Sequence, residues 1–393
     1  MNISILSNNF TPFTQNICSE ITAMFSQSLV RENHSVKAVI MPIGNLNPEL
    51  IEQHSLAKRI MPVKVTVDSA EYNFSRYEGK TSSGVEVIII DCVDCKKPVT
   101  PQIAGQAAAS LLSDDNSEID FVFSVNDSFN LDTAVNKETK SILMITDPDI
   151  SLNQIEKYDF IIVMGSATSG KLLEKAKNSQ KELFLNGTIK TINIPPLKEI
   201  PEDHIEADRK STKTTLQYNM GLPVKDVPVF YFGEIVTQAD EDNLSNMLLA
   251  EIQLIATVRN IDEIDDSLKK LVNDFPDRLS LIPLDIIHDE IIFNCDFAFA
   301  GPALFASDCI KNGVIPVIDE KDNLNIIQVD PLLKSGNGII YGEKTGISIT
   351  GAAGNALSLY NNQSSFYEFV KNIQSTVPSW TQLSKAVVEY ISK

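Results

Sequence analysis

Short apolar runs alternate along the chain with longer segments in which apolar residues recur at helical spacing. In the first half this pattern predicts a helix over Cys18–Glu32, between two strands. The apolar runs there predict strands at Ile3–Leu6, Val36–Met41, Val85–Asp91, Phe121–Val125, Ile142–Ile145 and Phe160–Met164. Because these runs are continuously apolar rather than alternating, they indicate parallel strands that are buried on both faces.

A second series of apolar runs follows residue 222. It predicts strands at Val227–Phe232, Glu251–Thr257, Leu279–Leu284, Phe297–Phe299, Ile315–Ile318 and Gly338–Tyr341. Between the two series lies a polar segment with several prolines, Ile194–Lys213. Two successive series of strands and helices predict an α/β protein with two doubly wound, Rossmann-like domains. We assign residues 1–200 to the first domain and residues 215–372 to the second.

The chain is strongly acidic. It contains 33 Lys plus Arg and 52 Asp plus Glu, which gives a net charge of −19. Nucleic acids and anionic membrane surfaces attract positively charged proteins, so we expect neither as a partner. The same charge disfavours nucleotide-sugar binding unless cations are concentrated locally.

Cysteine usage and hydropathy favour a cytoplasmic protein. The first residues show no basic segment ahead of a long apolar run, and no run reaches the ~20 residues of a membrane span. The five cysteines are scattered and odd in number, which fits a reduced compartment. Cys92 and Cys95 form an isolated CxxC after an apolar run. We interpret it as the end of a buried strand, and we predict no metal site and no cofactor.

One segment matches a phosphate-binding loop in outline. Gly165-Ser-Ala-Thr-Ser-Gly170-Lys171 follows an apolar run and precedes a predicted helix, as a P-loop does. The next residue is Leu172, however, so the hydroxyl that ligates Mg²⁺ in a P-loop is missing. A turn rich in small residues is the alternative interpretation.

Several segments match, in order, motifs of one enzyme family. Tyr231–Leu244 reads YFGEIVTQADEDNL, where the family pattern is close to FxGRLxxQKGxDLL. Further matches are Asn8–Gly44, Asp120–Val125 followed by Asp127, Tyr158–Lys171, Asn186-Gly187 with Ile194-Pro195, Lys210–Pro223, Asn312–Val317, Asn337–Tyr341, and Ser379-Trp380 with Tyr390. The chain resembles the bacterial glycogen and starch synthases, which are retaining glycosyltransferases.

This resemblance implies the GT-B fold, in which two Rossmann-like domains face each other across a cleft. It also implies that a closing helix, residues 377–393, crosses back to the first domain. Pro378 and Ser379 would open that helix, with Ser379 as its N-cap. Motifs in a shared order indicate fold and descent, but not activity.

The resemblance also locates the positions that bind the sugar donor, and these are changed. After Gly233, the family's diphosphate-binding arginine is Glu234, and its lysine is Ala239. In the family's KxGGL loop the lysine is Gln15, and the glycine pair is Ile17-Cys18. Arg and Lys pair with phosphate oxygens, and glycines let the backbone approach them closely. A carboxylate and bulky side chains do neither.

The family's histidines are replaced as well, by Ser124, Asn126, Phe129 and Thr146. Only Asp127 remains of the HxHDWH-like segment, and we expect it to cap a turn or a helix. The glutamate-bearing ExxGL element should precede Lys311, where the stretch is too short and has no glutamate. The resemblance therefore predicts the fold of a synthase with its donor site changed at each assigned position.

Three hypotheses about function remain open. The leading hypothesis is a catalytically inactive glycogen/starch synthase-like protein with a binding, regulatory or scaffold role toward an unknown protein or carbohydrate partner. The second is an active hexosyltransferase whose nucleotide-sugar site has been rebuilt with new cations. The third is a nucleotide binder that uses residues 165–171.

Overall fold

The computed structural model describes residues 1–14, 16–42, 48–67, 70–92, 99–114, 118–131, 138–152, 155–197, 209–286, 289–300, 306–330, 335–343, 345–361 and 363–393. The chain divides into two compact units. Unit 1 comprises Met1–Ile194 and Ser379–Lys393, and unit 2 comprises Pro195–Pro378.

Within the described residues, unit 1 is built on a ten-stranded sheet. Its strands are β1 (Asn2–Ser7), β2 (Ser35–Ile40), β3 (Ala57–Lys58), β4 (Val63–Val67), β5 (Ala70–Lys80), β6 (Glu86–Cys92), β7 (Phe121–Val125), β8 (Lys140–Ile145), β9 (Phe160–Met164) and β10 (Ile189–Ile192). Its helices before residue 194 are α1 (Ile17–Arg31), α2 (Pro48–Gln53), α3 (Pro101–Asp114), α4 (Ser166–Lys175) and α5 (Asn178–Leu185). The strand order is β10-β9-β8-β7-β1-β2-β6-β5-β3, and β4 pairs with β5.

The strands from β10 to β6 in this order run parallel, which confirms the prediction from the continuous apolar runs. Strand β5 pairs antiparallel with β6 and β4, and it was not predicted. Its sequence alternates polar and apolar residues and most of its length is only half-buried, so it contains no continuous apolar run. Helix α1 buries Ile21, Phe25 and Leu29, which lie four residues apart on one face. The Phe25 ring meets the ring of Phe123 edge to face, at 5.4 Å between centroids.

Four of the five cysteines lie among the described residues, and they differ in their bonding. Cys18, Cys295 and Cys309 are free thiols. Cys92 ends β6, as the apolar run predicted, but it is disulfide-bonded, which the interpretation of the cysteines as those of a reduced compartment did not anticipate. Cys95 lies outside the described residues.

Unit 2 contains a six-stranded sheet among its described residues. Its elements are α6 (Arg209–Asn219), β11 (Val229–Glu234), α7 (Gln238–Met247), β12 (Gln253–Val258), α8 (Asp266–Asp274), β13 (Leu279–Pro283), α9 (Asp289–Phe293), β14 (Phe297–Ala300), α10 (Ala306–Lys311), β15 (Ile315–Asp319), β16 (Ile339–Tyr341), α11 (Gly346–Tyr360) and α12 (Gln363–Gln374). The strand order is β13-β12-β11-β14-β15-β16, and every pairing is parallel.

A buried ion pair fixes α6 against this sheet. The Nζ of Lys213 lies 2.6 Å from Oδ2 of Asp296, and the two side chains are only 6% and 3% exposed. The same ammonium donates to the hydroxyl of Tyr360, at 2.6 Å. Asp296 also accepts from the backbone N–H of Val229, at the start of β11. A buried charge needs such partners, because desolvation otherwise destabilises the fold.

The final helix, α13 (Trp380–Ile391), packs in unit 1 although its sequence follows unit 2. Ser379 is its N-cap, as predicted, and forms a reciprocal capping box with Gln382. Trp380 is 3% exposed. At the other end of the helix, the hydroxyl of Tyr390 donates to the carbonyl of Thr188 in unit 1. In the described part of the chain, no helix combines the length and the hydropathy needed to cross a bilayer.

Candidate functional site

The topology of unit 1 identifies one edge of its sheet as the place for a ligand. Strand β1 pairs with β2 on one side and with β7 on the other. The chain runs from β1 to β2 and later returns to β7, so the strand order reverses between β1 and β7. In open α/β sheets, ligands bind outside the carboxyl ends of the strands at such a reversal.

Three of the predicted positions meet at this edge. The amide of Asn126, just after β7, donates to the hydroxyl of Thr146, just after β8, at 2.8 Å. The amide oxygen of Asn126 accepts from the backbone N–H of Thr146, also at 2.8 Å. The thiol of Cys18, at the start of α1, lies beside both side chains. The structure therefore brings together Cys18, Asn126 and Thr146, which the resemblance assigned to a glycine and two histidines.

The Cys18 thiol is held in its neutral form. Burial raises its pKa, and the nearby carboxylate of Asp147 raises it further. Hydrogen bonds with Thr146 and Asn126 act in the opposite direction but are smaller than the effect of burial. A thiol with a raised pKa is a poor nucleophile, because the thiolate is the reactive form.

The N-terminus of α1 is closed by the protein's own side chains. Asn16 is the N-cap, and its amide oxygen accepts from the backbone N–H of Ser19 at 2.8 Å. The Ser19 hydroxyl accepts in return from the N–H of Asn16, at 3.0 Å. Free N–H groups at a helix N-terminus can bind an anion, but here the capping box uses part of them. Ile17 and Cys18 form the first turn, and Gln15 lies outside the described residues.

Asp127 connects two loops of this edge instead of capping a helix. It follows Asn126 in the turn after β7, and both residues have positive φ angles, near +52° and +53°. Its carboxylate accepts a hydrogen bond from the hydroxyl of Tyr158 and lies 3.8 Å from the ammonium of Lys157. These contacts tie the turn after β7 to the connection between β8 and β9.

In unit 2 the equivalent reversal lies between β11 and β14, and β11 ends there in Gly233 and Glu234. Gly233 has a φ of +97° at an irregularity in the pairing with β12. A Cβ at this position would meet nothing within 4 Å, so the backbone conformation rather than space requires glycine. The carboxylate of Glu234 accepts from Nε of Arg259, at 2.9 Å. The Arg259 side chain is 80% exposed, and the Glu234 side chain is 28% exposed.

The N-terminus of α7 has two carboxylates beside Ala239, the residue that replaces the family's lysine. Ala239 lies exposed in its first turn. The next residue, Asp240, is buried, and its Oδ2 accepts from the backbone N–H groups of Val236 and Thr237 at 3.3 and 3.0 Å. It also accepts from the Thr237 hydroxyl, at 2.8 Å. A carboxylate of the chain thus lies at the N-terminus of α7, where an incoming anion would approach, and it binds the two N–H groups that precede the helix.

Glu241 adds a second buried carboxylate to this turn. The Ser267 hydroxyl donates to it, and Asp265 lies close by. Burial raises the pKa of Glu241, and the negative charge of Asp265 adds to this effect. Among these side chains of the unit 2 ligand edge, negative charge is in excess. Arg259 pairs with Glu234, while Asp240 and Glu241 add two further carboxylates.

The segment with P-loop spacing has a different conformation. Helix α4 begins at Ser166, immediately after Gly165, so Gly170 and Lys171 lie inside the helix. A P-loop needs the residues between the two glycines in an open loop whose N–H groups surround the phosphates, but here Ser166–Ser169 are already helical. Gly165 instead donates its N–H to the carbonyl of Ile192, at 2.7 Å. Lys171 lies near the carboxylate of Asp149.

Sequence reasoning missed Arg259 and Asp240. A signal for Arg259 was available, because it follows the predicted strand over Glu251–Thr257 almost directly and so falls at the carboxyl edge. Asp240 lies three residues after Thr237, the spacing of a capping box. Among the described residues, no group of three or more His, Cys, Asp or Glu side chains is arranged to hold a metal ion.

Comparison with known proteins shows a sequence relationship over part of the chain. A glycogen synthase from Fervidobacterium nodosum is 25% identical over 197 residues, which cover 46% of this chain and 40% of the relative. A glycogen synthase from Desulforudis audaxviator is 26% identical over 207 residues, covering 48% and 40%. The match thus spans about two fifths of the length of these curated relatives. No family model matches the chain.

Solved structures match over the whole chain. The catalytic domain of Starch Synthase IV from Arabidopsis thaliana, bound to ADP and acarbose, has a TM-score of 0.62 at 12% identity and covers 99% of this chain and 98% of that chain. A UDP-GlcNAc 2-epimerase from Neisseria meningitidis, bound to UDP-GlcNAc, has a TM-score of 0.51 at 11% identity, with 100% and 99% coverage. At these identities the likeness concerns the fold alone.

Two doubly wound α/β units and the likeness to the starch synthase domain define a protein with the GT-B fold. Within that class the chain is similar in sequence to glycogen synthases over about half its length.

Proposed function

We propose that this protein is a catalytically inactive relative of the glycogen and starch synthases with a binding role. The observation that carries the proposal is Glu234, a carboxylate at the ligand edge of unit 2 in the position of the family's diphosphate-binding arginine. Its partner Arg259 neutralises it at most, so the pair adds no net positive charge.

Electrostatics at the same edge support the proposal. A diphosphate would meet Glu234 and the buried carboxylates of Asp240 and Glu241. Two like unit charges ~4 Å apart repel by roughly 4 kcal/mol at an effective dielectric constant near 20. The whole free energy of a millimolar complex is only about 4 kcal/mol. We therefore expect donor binding no tighter than about millimolar.

The ligand edge of unit 1 supports it independently. The positions of the family's glycine pair and histidines hold Cys18, Asn126 and Thr146, which hydrogen-bond with one another. None of these three side chains is positively charged. Neither the neutral Cys18 thiol nor the capped N-terminus of α1 supplies a positive charge that could stabilise a departing diphosphate.

The binding role itself follows from the family resemblance. The starch synthase domain with the same fold is bound to acarbose, and we propose an oligosaccharide or a protein as the partner of this chain. An acidic surface repels a nucleotide diphosphate but not a neutral sugar, because the sugar carries no charge.

Calorimetry with ADP-glucose, UDP-glucose and malto-oligosaccharides tests the proposal, together with an assay of glucose transfer to a malto-oligosaccharide. We expect no transfer and no donor binding in the micromolar range. Micromolar binding of either donor, or turnover by the wild-type protein, would refute it.

Arg259 favours a second candidate, an active glycosyltransferase with a rebuilt donor site. It is a cation at the carboxyl edge, one strand away from the lost arginine, and its side chain is largely exposed. If Arg259 binds the donor, Arg259→Ala should weaken donor binding about tenfold or more, and Glu234→Gln should strengthen it. Lys225→Ala removes a cation that pairs with Asp277 and serves as the matched control. Donor binding that none of these substitutions changes would argue against a rebuilt site at Arg259.

A further inference from the structure

Unit 1 also contains a cavity that is lined by positively charged side chains. A cavity of about 520 Å³ lies against β2, β5 and β6. Its charged lining consists of Lys37, Arg59, Arg76, Lys80, Glu78 and Glu86. The volume falls in the range of small-molecule sites, about 300–1,000 Å³. Four cations around one cavity are unusual in a chain with a net charge of −19.

The sheet register fixes part of this charge. Lys37 in β2 lies opposite Glu86 in β6, and Glu86 lies opposite Lys80 in β5. Residues that face each other on adjacent strands have Cβ atoms roughly 5 Å apart. The three side chains therefore form a Lys–Glu–Lys row across three strands.

Two guanidinium groups supply the rest. Arg59 donates from Nε to the carboxylate of Glu78, and Arg76 forms an ion pair with the same carboxylate. One carboxylate thus orients two guanidinium groups, so this group of three side chains carries one more positive than negative charge. The Nε of Arg76 is buried and has no hydrogen-bond acceptor in the part of the chain that the structure describes, and Oε1 of Glu78 is buried there without a hydrogen-bond donor. Buried polar atoms are rarely left unpaired, so the Nε of Arg76 marks a place for an acceptor and Oε1 of Glu78 a place for a donor.

We propose that this cavity binds a small phosphate monoester. Such an ester carries a charge near −2 above pH ~6 and offers three acceptor oxygens. The lining offers four cationic and two carboxylate side chains, and guanidinium groups bind phosphate through paired N–H donors. One oxygen of the dianion can accept from the unpaired Nε of Arg76.

This site lies apart from the ligand edge described above. Lys37 is near the amino end of β2, and Glu86 begins β6. Cys18, Asn126 and Thr146 lie beyond the carboxyl ends of their strands. The cavity therefore includes the amino ends of β2 and β6, and it contains none of the residues of the ligand edge, so phosphate binding here does not depend on whether the protein transfers sugars.

Calorimetry with phenyl phosphate on the full-length protein tests the proposal, at a pH of about 7.5 and at about 20 and 150 mM salt. Inorganic phosphate, succinate and phenol are the comparison ligands. We expect phenyl phosphate to bind, phenol not to bind, and the affinity to fall at the higher salt concentration. Succinate that binds more tightly than phenyl phosphate would overturn the assignment to a phosphate ester.

Variants of opposite sign make the test specific. Lys80→Gln should weaken phenyl phosphate binding about tenfold, which corresponds to about 1.4 kcal/mol. Glu86→Gln should strengthen it, because it removes a negative charge from an exposed position in the lining. Lys64→Gln on the adjacent strand β4 has the same charge change outside the cavity, and it should leave the affinity unchanged.

The guanidinium pair needs a double variant. Arg76→Gln alone would leave the half-buried Glu78 with fewer partners and could unfold the protein. Arg76→Gln combined with Glu78→Gln keeps the net charge and removes the donor fork, and it should weaken binding at least tenfold. No binding of phenyl phosphate at low salt, or equal binding by wild type, Lys80→Gln and Glu86→Gln, would refute the proposal.

Discussion

Single residues at the carboxyl edges carry most of what distinguishes this protein from the enzymes it resembles. The sequence alone showed that Glu234 and Ala239 replace the family's arginine and lysine, because the surrounding motif is intact and the two positions can be aligned with it. The pairing of Glu234 with Arg259 could not be read from the sequence, because the two residues are 25 positions apart and meet only across adjacent strands. The contact of Cys18 with Asn126 and Thr146 was out of reach for the same reason.

Glu241 gives a pH dependence whose sign follows from its burial. Its pKa in the folded protein is raised above the ordinary 4.5, so the folded state binds the proton more tightly than the unfolded state. The stability that this group contributes is present below its unfolded pKa and is lost as the pH rises through its folded pKa. We expect the stability of Glu241→Gln relative to wild type to increase as the pH rises above about 4.5.

Denaturant unfolding of both proteins across the acid range measures this difference. Asp242→Asn removes an exposed carboxylate from the same helix and is the matched control. A difference between Glu241→Gln and wild type that stays constant with pH, or decreases, would show that burial does not dominate at this position.

At the scale of elements, the sequence predicted the parallel strands well and the antiparallel region poorly. Strands buried on both faces appear as continuous apolar runs, and the predictions at Phe121–Val125 and Phe160–Met164 coincide with β7 and β9. Strand β5 was missed because it is half-buried and alternates. Strand β10 was missed because only Ile189 and Ile192 are buried, with two exposed residues between them. The periodicity of an edge strand is weak evidence on its own.

Helix α13 should matter strongly for stability. Trp380 is almost completely buried, and truncation of a large buried aromatic side chain destabilises a protein by roughly 3–5 kcal/mol. Ser379→Ala should cost about 1 kcal/mol, because it removes the N-cap. Glu389→Ala changes an exposed position of the same helix and should stay within about 0.5 kcal/mol of wild type.

Urea unfolding of the three variants ranks these effects. The order Trp380→Ala, then Ser379→Ala, then Glu389→Ala is expected. If the free energy of unfolding of Trp380→Ala in urea equalled that of wild type, α13 would not be packed as described.

The buried pair of Lys213 and Asp296 predicts a large effect from one substitution. Lys213→Met would leave the Asp296 carboxylate buried with only its backbone donor, and breaking a buried pair in this way costs about 3–5 kcal/mol. Lys225→Met breaks the exposed pair with Asp277 and should cost at most about 1 kcal/mol. Thermal unfolding compares the two, and similar midpoints for both variants would contradict the structural role of Lys213.

At the scale of the whole molecule, each unit has its own core. One cluster of buried apolar side chains runs from Leu216 to Ile373, entirely within unit 2, and another lies entirely within unit 1. The fold class was predictable because each unit repeats the same strand and helix pattern. The charge distribution was not, since the cations around the 520 Å³ cavity come from distant strands.

Separate cores predict that residues 195–378 fold as an independent chain with a cooperative unfolding transition. Residues 1–194 alone should be unstable, because they lack α13, and a peptide of residues 379–393 should restore their stability. Circular dichroism with and without the peptide measures this. A fragment of residues 1–194 that unfolds cooperatively without the peptide would contradict the prediction.

The placement of α13 in unit 1 has a consequence for synthesis on the ribosome. When residue 194 emerges, the face of α1 that α13 covers has no partner, and the chain must be extended through all of unit 2 before that partner exists. At about 5–20 residues per second the delay is on the order of 10–40 s, longer than many small domains need to fold. During this interval the nascent chain exposes an apolar helix face, which is the kind of surface that chaperones bind. The order of folding is therefore inverted, since the unit that begins first is completed last.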